Sequence, residues 1–326
     1  MRQLNLLIRG FLVVGIVIGS WGTWISCGYS AESPTADSVS SATASIPSAT
    51  GTNPEILRSA AWGMESQAPL IFSSTQMVQA RDQIKRVGWS ETLIDSQISA
   101  IQAEKVSVDA SIWSVWQACL KAALFGEAQR VQSAMNAVAE ASREDRSLEE
   151  SYPWYSFSLL MQSYDCLTAL PEWMGWDPQQ KEAVQKNMRS FASRYLEKIG
   201  DSSQNLLGKR SLQLYAGLLT GATEWANLAL LGKEREPGFG EIVRREIMPE
   251  GLLRNGSPRS QVDDGFLLLI AGTAVKKCSP ELFAQIETPI RKAVEWVSDF
   301  TASSGLFPSI VLDPPARTAI VRFLEQ

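Results

Sequence analysis

The chain has 326 residues, of which 45% are hydrophobic and 20% are charged, so it is long enough for one large domain with a sizeable core, or two small ones. Its formal net charge of −5 argues against nucleic acid or anionic lipid headgroups as partners, because those ligands require clustered cations. The sequence contains no histidine and no metal-ligand spacing, which excludes the usual zinc and iron sites. We therefore expect no cofactor.

The N-terminus predicts export. Two arginines, Arg2 and Arg9, precede an apolar run that extends from Phe11 to about Ile25, an order typical of a signal segment. Residues 1–31 are therefore predicted to be a signal peptide or a lipoprotein signal or anchor. The rest of the chain is expected to be extracytoplasmic, as a periplasmic protein, a cell-envelope lipoprotein or a secreted protein, which contacts a membrane only through this segment.

The end of the signal segment leaves three alternatives open. A small residue precedes Cys27, as in lipoprotein cleavage sites, whereas Trp24 stands where Leu is usual. Lipidation at Cys27, ordinary cleavage near Ser30 or Ala31, and an uncleaved anchor are all compatible with this sequence.

The remaining chain divides by composition. Residues 32–59 are rich in Ser, Thr, Ala and Pro and are predicted to be a flexible linker, since they cannot bury a core. Residues 60–304 are predicted to form the folded domain, and the Pro-containing residues 305–326 remain an unassigned C-terminal extension. If Cys27 is lipidated, three cysteines remain, which permits one disulfide at most and favours buried free thiols.

The folded part is predicted to be helical throughout. In the clearest helix, Asp177 is expected to be the N-cap, Pro178 the first helical residue and Gly200 the stop. Apolar residues recur on one face of this helix, at positions 184, 188, 191, 195 and 199. Similar stripes are formed by Ile94, Ile98 and Ile101, and by Ile112, Val115, Trp116, Cys119 and Ala123.

This periodicity predicts an all-α fold with about ten or eleven helices and no strand before the last twenty or so residues. A helical bundle, a solenoid and a closed α/α toroid would all satisfy the pattern. The absence of a fixed repeat period disfavours the solenoid.

Four segments, in this order, resemble those of alginate lyases and heparinase II/III-like polysaccharide lyases. The first is "PLIFSSTQMVQARDQIKRVGWSETL", and the second is "SYPWYSFSLLMQSYDCL", with the pair Tyr164 and Asp165. The third is "SSQNLLGKRSLQLYAGLLTGATEWANLAL", and the fourth is "MPEGLLRNGSPRSQVDDGFLLLIAGTAV". The resemblance covers about residues 66–300 and depends on the order and spacing of the four segments.

The resemblance implies an α/α toroid, an incomplete barrel of antiparallel helix pairs, whose cleft binds a uronate-containing acidic polysaccharide. The reaction of the family is β-elimination. An amide and an arginine neutralise the uronate carboxylate, a His or Tyr removes the C5 proton, and a Tyr returns a proton to the leaving oxygen. Activity in this chain would therefore require both a charge neutraliser and a titratable acid or base.

Aligned on this pattern, the chain keeps the groups that bind a carboxylate and lacks those that move a proton. Gln204 and Asn205 stand where the family has an Asn-His pair, and Arg259 matches the family's arginine. Phe266 stands where the family has its Tyr. In a register shifted by one residue, Asn205 takes the carboxylate-binding role and Leu206 replaces His, so neither register provides a general base.

Substitutes for the missing base are few. Tyr215 or Tyr155 is the candidate acid or base, with the other tyrosines of the domain at positions 152, 164 and 195. Lys209 or Lys277 would need a strongly lowered pKa to act in this way.

Further candidate binding residues are Arg210 and the aromatic residues Trp113, Tyr152, Trp154 and Tyr155, whose rings would stack on sugars. Each has an ordinary structural alternative: Asn205 as a helix N-cap, Lys209 and Arg210 as solvated helix positions, and Trp116 as core. Arg259 is less ordinary, since a cation in a first helical turn opposes the helix dipole.

Two functional hypotheses follow from these residues. The first is an exported lyase that acts on uronate polymers with a displaced base. The second is a catalytically inactive relative that binds or organises an acidic glycan through Arg259, Arg210 and the aromatic residues, or a structural cell-envelope lipoprotein. Whether the protein is an enzyme stays undecided at this level.

Overall fold

The computed structural model describes residues 68–88, 90, 92, 110–143, 153–199, 206–233, 236–254 and 258–299. The predicted signal segment with Cys27, the linker 32–59, the extension 305–326 and the stripe at positions 94–101 lie outside these ranges.

The described chain consists of ten α-helices, one 3₁₀ helix and one short ribbon. The helices are α1 (Ser74–Val87), α2 (Ala110–Phe125), α3 (Ala128–Ala141), α4 (Pro153–Ala169), α5 (Pro178–Ile199), α6 (Leu206–Thr220), α7 (Thr223–Leu231), α8 (Phe239–Glu246), α9 (Pro258–Cys278) and α10 (Pro280–Asp299). The 3₁₀ helix Pro171–Gly175 follows α4, and strands β1 (Gly232–Lys233) and β2 (Glu236–Pro237) pair antiparallel between α7 and α8. The all-α class predicted from the sequence is therefore confirmed for this part of the chain, and the ribbon is a small addition that the helical pattern did not predict.

Local sequence rules account for the helix that was predicted best. Helix α5 begins at Pro178, and the Gln179 N–H donates to the Asp177 carboxylate at 3.4 Å. Of the predicted apolar stripe, Val184, Met188, Phe191 and Tyr195 are buried. The stripe of α2 is buried in full, from Ile112 to Ala123. Cys119 and Cys166 are buried free thiols, as expected.

Helices α2, α4, α6 and α9 pack side by side in that order and are called the inner helices. The Cys166 thiol in α4 lies 3.8 Å from the Cys119 carbonyl oxygen of α2, and the Tyr215 hydroxyl of α6 donates to Asp165 of α4 at 3.3 Å. Lys277, in the last turn of α9, is near enough to Asp165 to lower the pKa of that carboxyl. Because their C-terminal halves meet around Asp165, the inner helices run in the same direction.

Helices α3 and α5 run back along the outside of the inner helices. Phe157, near the start of α4, stacks on Phe191 and Tyr195 in the second half of α5, so these two helices are antiparallel. Arg194 of α5 donates to the carbonyl oxygens of Ser142 and Arg143, which follow α3. Helices α3 and α5 therefore run parallel to each other and opposite to α4.

Burial separates the two layers. Every residue from 156 to 170, in and just after α4, is buried, and all but the first residue and Lys209 are buried in α6. Helices α3, α5 and α10 instead alternate buried and exposed positions with helical period, as expected of helices with one face on a core. The inner helices thus form the core of the domain, and the outer helices cover them.

The C-terminal end of the inner helices is closed by residues 68–73 and α1. The Leu70 and Ile71 N–H groups donate to the two Asp165 carboxylate oxygens at 2.5 and 2.7 Å. Arg81 of α1 donates to the carbonyl oxygens of Ala122 and Ala123 at the end of α2. Two of the last carbonyl groups of α2 are therefore bonded to a protein donor.

None of the described helices is both long and apolar enough to cross a membrane.

Candidate functional site

The opposite end of the inner helices, called here the amino end, brings together the residues that the sequence singled out. Trp113 lies in the first turn of α2, and Trp154 and Tyr155 in the first turn of α4. Arg210 lies in the second turn of α6, and Arg259 is the second residue of α9. Because the four helices are parallel, these residues share one end of the domain, although they come from four separate parts of the chain.

Some of these residues are known only by their place in the chain. Tyr152, Gln204 and Asn205 are outside the described ranges, and so is the predicted N-cap contact of Asn205; Leu206 begins α6 immediately after it. Trp154, Tyr155, Arg259 and Phe266 are described by their position in a helix alone. Their predicted roles remain predictions.

The amino end favours negative charge. Four helix N-termini point toward it, each with N–H groups that carry partial positive charge. No acidic residue lies in the first turn of α2, α4, α6 or α9, so the first turns of these helices provide no carboxylate to offset that charge. An anionic ligand at this end would meet a favourable field from all four.

Arg210 is the best-defined polar group at the amino end. Its side chain is only 1% exposed, so the interpretation of Arg210 as a solvated helix position is wrong. The Nη1 atom donates to Gln213 Oε1 at 2.8 Å, and Nη2 donates to Glu236 Oε2 at 2.5 Å. The Nε atom is buried and has no hydrogen-bond partner. One donor of this guanidinium is therefore buried with its hydrogen-bonding capacity unfilled.

Trp113 does not offer an open face to a sugar, contrary to the prediction. Its side chain is 5% exposed and belongs to the hydrophobic core. The indole N–H of Trp113, like that of Trp116 one turn later, is buried without a hydrogen-bond partner. The ring packs in the core because it lies on the same side of α2 as the predicted apolar stripe.

Tyr215 does not fit the role of acid or base that the sequence suggested. Its hydroxyl lies near the closed C-terminal end, fully buried, and donates to Asp165. Burial raises the pKa of Tyr215 well above its ordinary value, and the charge of Asp165 and the bond to it raise the pKa further. Tyr164 and Tyr195 are buried as well. A phenol with these surroundings is closed to a polysaccharide and holds its proton at neutral pH.

Asp165 has a structural role that the sequence did not predict: it accepts hydrogen bonds at the closed end of the inner helices. The sequence marked it only as half of a Tyr-Asp pair, and the structure shows it fully buried, bonded to two backbone N–H groups and to Tyr215. Burial raises the pKa of Asp165 to about 6, although the bonds from Ile71 and Leu70, the charge of Lys277 and the bond from Tyr215 lower it. A lone acid inside the apolar run of α4 was the available signal.

The raised pKa of Asp165 predicts a specific pH dependence of stability. The unfolded carboxyl has an ordinary pKa of 3.8 and the folded one a pKa of about 6, so the folded state binds more protons between these values and loses stability as pH rises through them. The free energy of unfolding of wild type minus that of Asp165→Asn is expected to fall from about pH 4 to about pH 7. Urea unfolding across this range measures the difference, and a constant difference would contradict the assignment.

No group of three or more His, Cys, Asp or Glu side chains is placed to hold a metal ion within the ranges given above. No family model matches the chain, and no curated protein matches it. The geometry of the amino end and the composition of the chain are therefore the features that bear on function.

Proposed function

We propose that this protein is exported and binds a uronate-containing acidic polysaccharide at the amino end of the inner helices, without cleaving it. The layers of parallel inner helices and returning outer helices suit the α/α toroid of polysaccharide lyases, which we propose as the complete architecture. The observation that supports binding most directly is the convergence of Arg210, Arg259 and four helix N-termini at one end.

The chemistry of the chain favours binding over β-elimination. A carboxylate ligand requires cations and N–H donors, which the amino end has. Elimination also requires a group that exchanges protons near neutral pH, and the chain has no histidine. The three tyrosines with described side chains, Tyr164, Tyr195 and Tyr215, are buried.

A lyase that uses Tyr155 is the second candidate. Tyr155 lies in the first turn of α4, at the same end of the inner helices as Arg259. In this case the ionised tyrosine would remove the C5 proton while the arginine neutralises the carboxylate. The C4–O glycosidic bond would then break, and the tyrosine would return the proton to the leaving oxygen.

The first test is binding of the purified protein to alginate, hyaluronan, heparin-type and polygalacturonate chains, with and without Arg259→Ala. Loss of one charge-assisted contact of about 1.5–3 kcal/mol is expected to weaken binding at least about tenfold. Isothermal titration calorimetry with defined oligosaccharides measures this change.

Arg291→Ala is the matched control, because Arg291 is an exposed arginine of the outer helix α10. It is expected to leave affinity unchanged. The same mixtures are followed by ultraviolet absorbance for the unsaturated product of elimination. Product formation that Arg259→Ala abolishes would establish the lyase instead, and equal affinity for wild type and Arg259→Ala would remove the proposed site.

A further inference from the structure

Arg210 could bind the carboxylate of a ligand, but in this structure it binds the carboxylate of Glu236. Arg210 is buried in α6 near the amino end, whereas the Glu236 side chain in β2 is 43% exposed. Most exposed ion pairs contribute little to stability, but here the cation has no access to water. The guanidinium therefore depends on whichever acceptors the protein or a ligand supplies.

The Arg210 guanidinium has hydrogen-bond partners at two of its three nitrogen atoms. Glu236 accepts from Nη2 through one oxygen, Gln213 accepts from Nη1, and Nε has no hydrogen-bond partner. The Nε and Nη2 atoms lie on the same edge of a guanidinium and together fit the two oxygens of one carboxylate. A carboxylate bound to that edge in bidentate fashion would form one more hydrogen bond with Arg210 than Glu236 does.

We infer that Glu236 is an internal carboxylate that occupies Arg210 in place of the ligand's uronate carboxylate, so that binding requires Glu236 to leave. This inference rests on the proposed function. A uronate carboxylate and a glutamate carboxylate are chemically equivalent toward arginine, so the two compete for the same edge. Because the Glu236 side chain is partly exposed, it reaches solvent by rotation of its own side-chain bonds, without movement of β2.

Removal of the competing charge is expected to strengthen binding. In Glu236→Gln, the amide oxygen keeps a neutral hydrogen bond to Arg210, so the fold is maintained while the competitor is weakened. We expect the affinity for oligogalacturonate or oligomannuronate to rise about fivefold, which corresponds to about 1 kcal/mol. The affinity for methyl-esterified oligogalacturonate, which lacks the charge, is expected to stay at the wild-type value.

The matched control is Glu241→Gln, which removes the same charge from an exposed position in α8. This variant separates local competition from a change in net charge and is expected to bind as wild type does. The double variant Arg210→Gln/Glu236→Gln is expected to lose the gain, because the Arg210 guanidinium for which the two carboxylates compete is gone. Urea unfolding of each variant verifies that the fold persists.

The outcomes distinguish the inference from the proposed function. A gain in Glu236→Gln that is absent in Glu241→Gln and in the double variant supports the inference, and so does binding by Glu236→Gln alone when wild type does not bind. Unchanged or weaker binding by folded Glu236→Gln, with wild type still binding, overturns the inference and leaves the proposed function in place. No binding of any uronate by either protein overturns both.

Discussion

Asp165→Ala is expected to lower the free energy of unfolding by about 3–5 kcal/mol, because each buried donor left without an acceptor costs about 1–3 kcal/mol. The substitution removes the acceptor of three hydrogen bonds, from the Leu70 and Ile71 N–H groups and from the Tyr215 hydroxyl. It also removes the two hydrogen bonds that join Leu70 and Ile71 to α4.

Urea denaturation at neutral pH measures this loss. Asp82→Ala is the matched control, since Asp82 is exposed on α1, and it is expected to change stability by less than about 0.5 kcal/mol. Asp165→Asn keeps one acceptor oxygen and avoids the buried charge, so its cost is expected to be smaller than that of alanine. Equal stability of Asp165→Ala and Asp82→Ala would contradict the anchoring role of Asp165.

Arg81→Met is expected to cost about 2–4 kcal/mol, since truncating a largely buried charge pair leaves its partners without donors. Arg81 makes four hydrogen bonds: to the carbonyl oxygens of Ala122 and Ala123, and to both carboxylate oxygens of Glu172. Burial raises the pKa of Glu172, but the hydrogen bond and charge of Arg81 outweigh it and hold that pKa below its ordinary value. The substitution keeps the apolar stem of the side chain and removes only the guanidinium.

Arg86→Met is the control for this substitution, because Arg86 is exposed in the last turn of the same helix. Gly126→Ala tests the same contact from the other side. A methyl group at position 126 would lie 2.5 Å from the Arg81 Cζ atom, and the residue has a φ of +72° that favours glycine. Both Arg81→Met and Gly126→Ala are therefore expected to lower the urea midpoint, and an unchanged midpoint in both would exclude this contact as a source of stability.

Helix bounds were predictable where local chemistry sets them. Helix α5 follows Asp177 and Pro178 as the capping rules predict, and α6 ends at Thr220 before Gly221, whose φ is +71°. These features depend on contacts within a few residues, so they are readable from a linear chain. The stripe of α2 was readable for the same reason, since a buried helical face repeats with helical period.

The roles of Arg210, Trp113 and Tyr215 were not predictable, because helical period does not separate a residue at a ligand site from one in a core. In the inner helices most positions are buried, so the sequence does not alternate between apolar and polar faces clearly enough to separate the two cases. Arg210 pairs with Glu236 of β2, which lies 26 residues further along the chain. Tyr215 is enclosed by the packing of α6 against its neighbouring helices.

The sequence was sufficient to predict the helical class of the described chain, several helix ends and the apolar stripes, and it shows the absence of any histidine, because these features depend on neighbouring residues or on composition alone. The parallel direction of the inner helices became known only from their packing, which puts Asp165 at their closed end and Arg210 near the other. Parallel packing depends on contacts between residues far apart in the chain, such as Asp165 and Tyr215, separated by 50 positions. No local pattern encodes such a contact, since its free energy is realised only once the helices have packed.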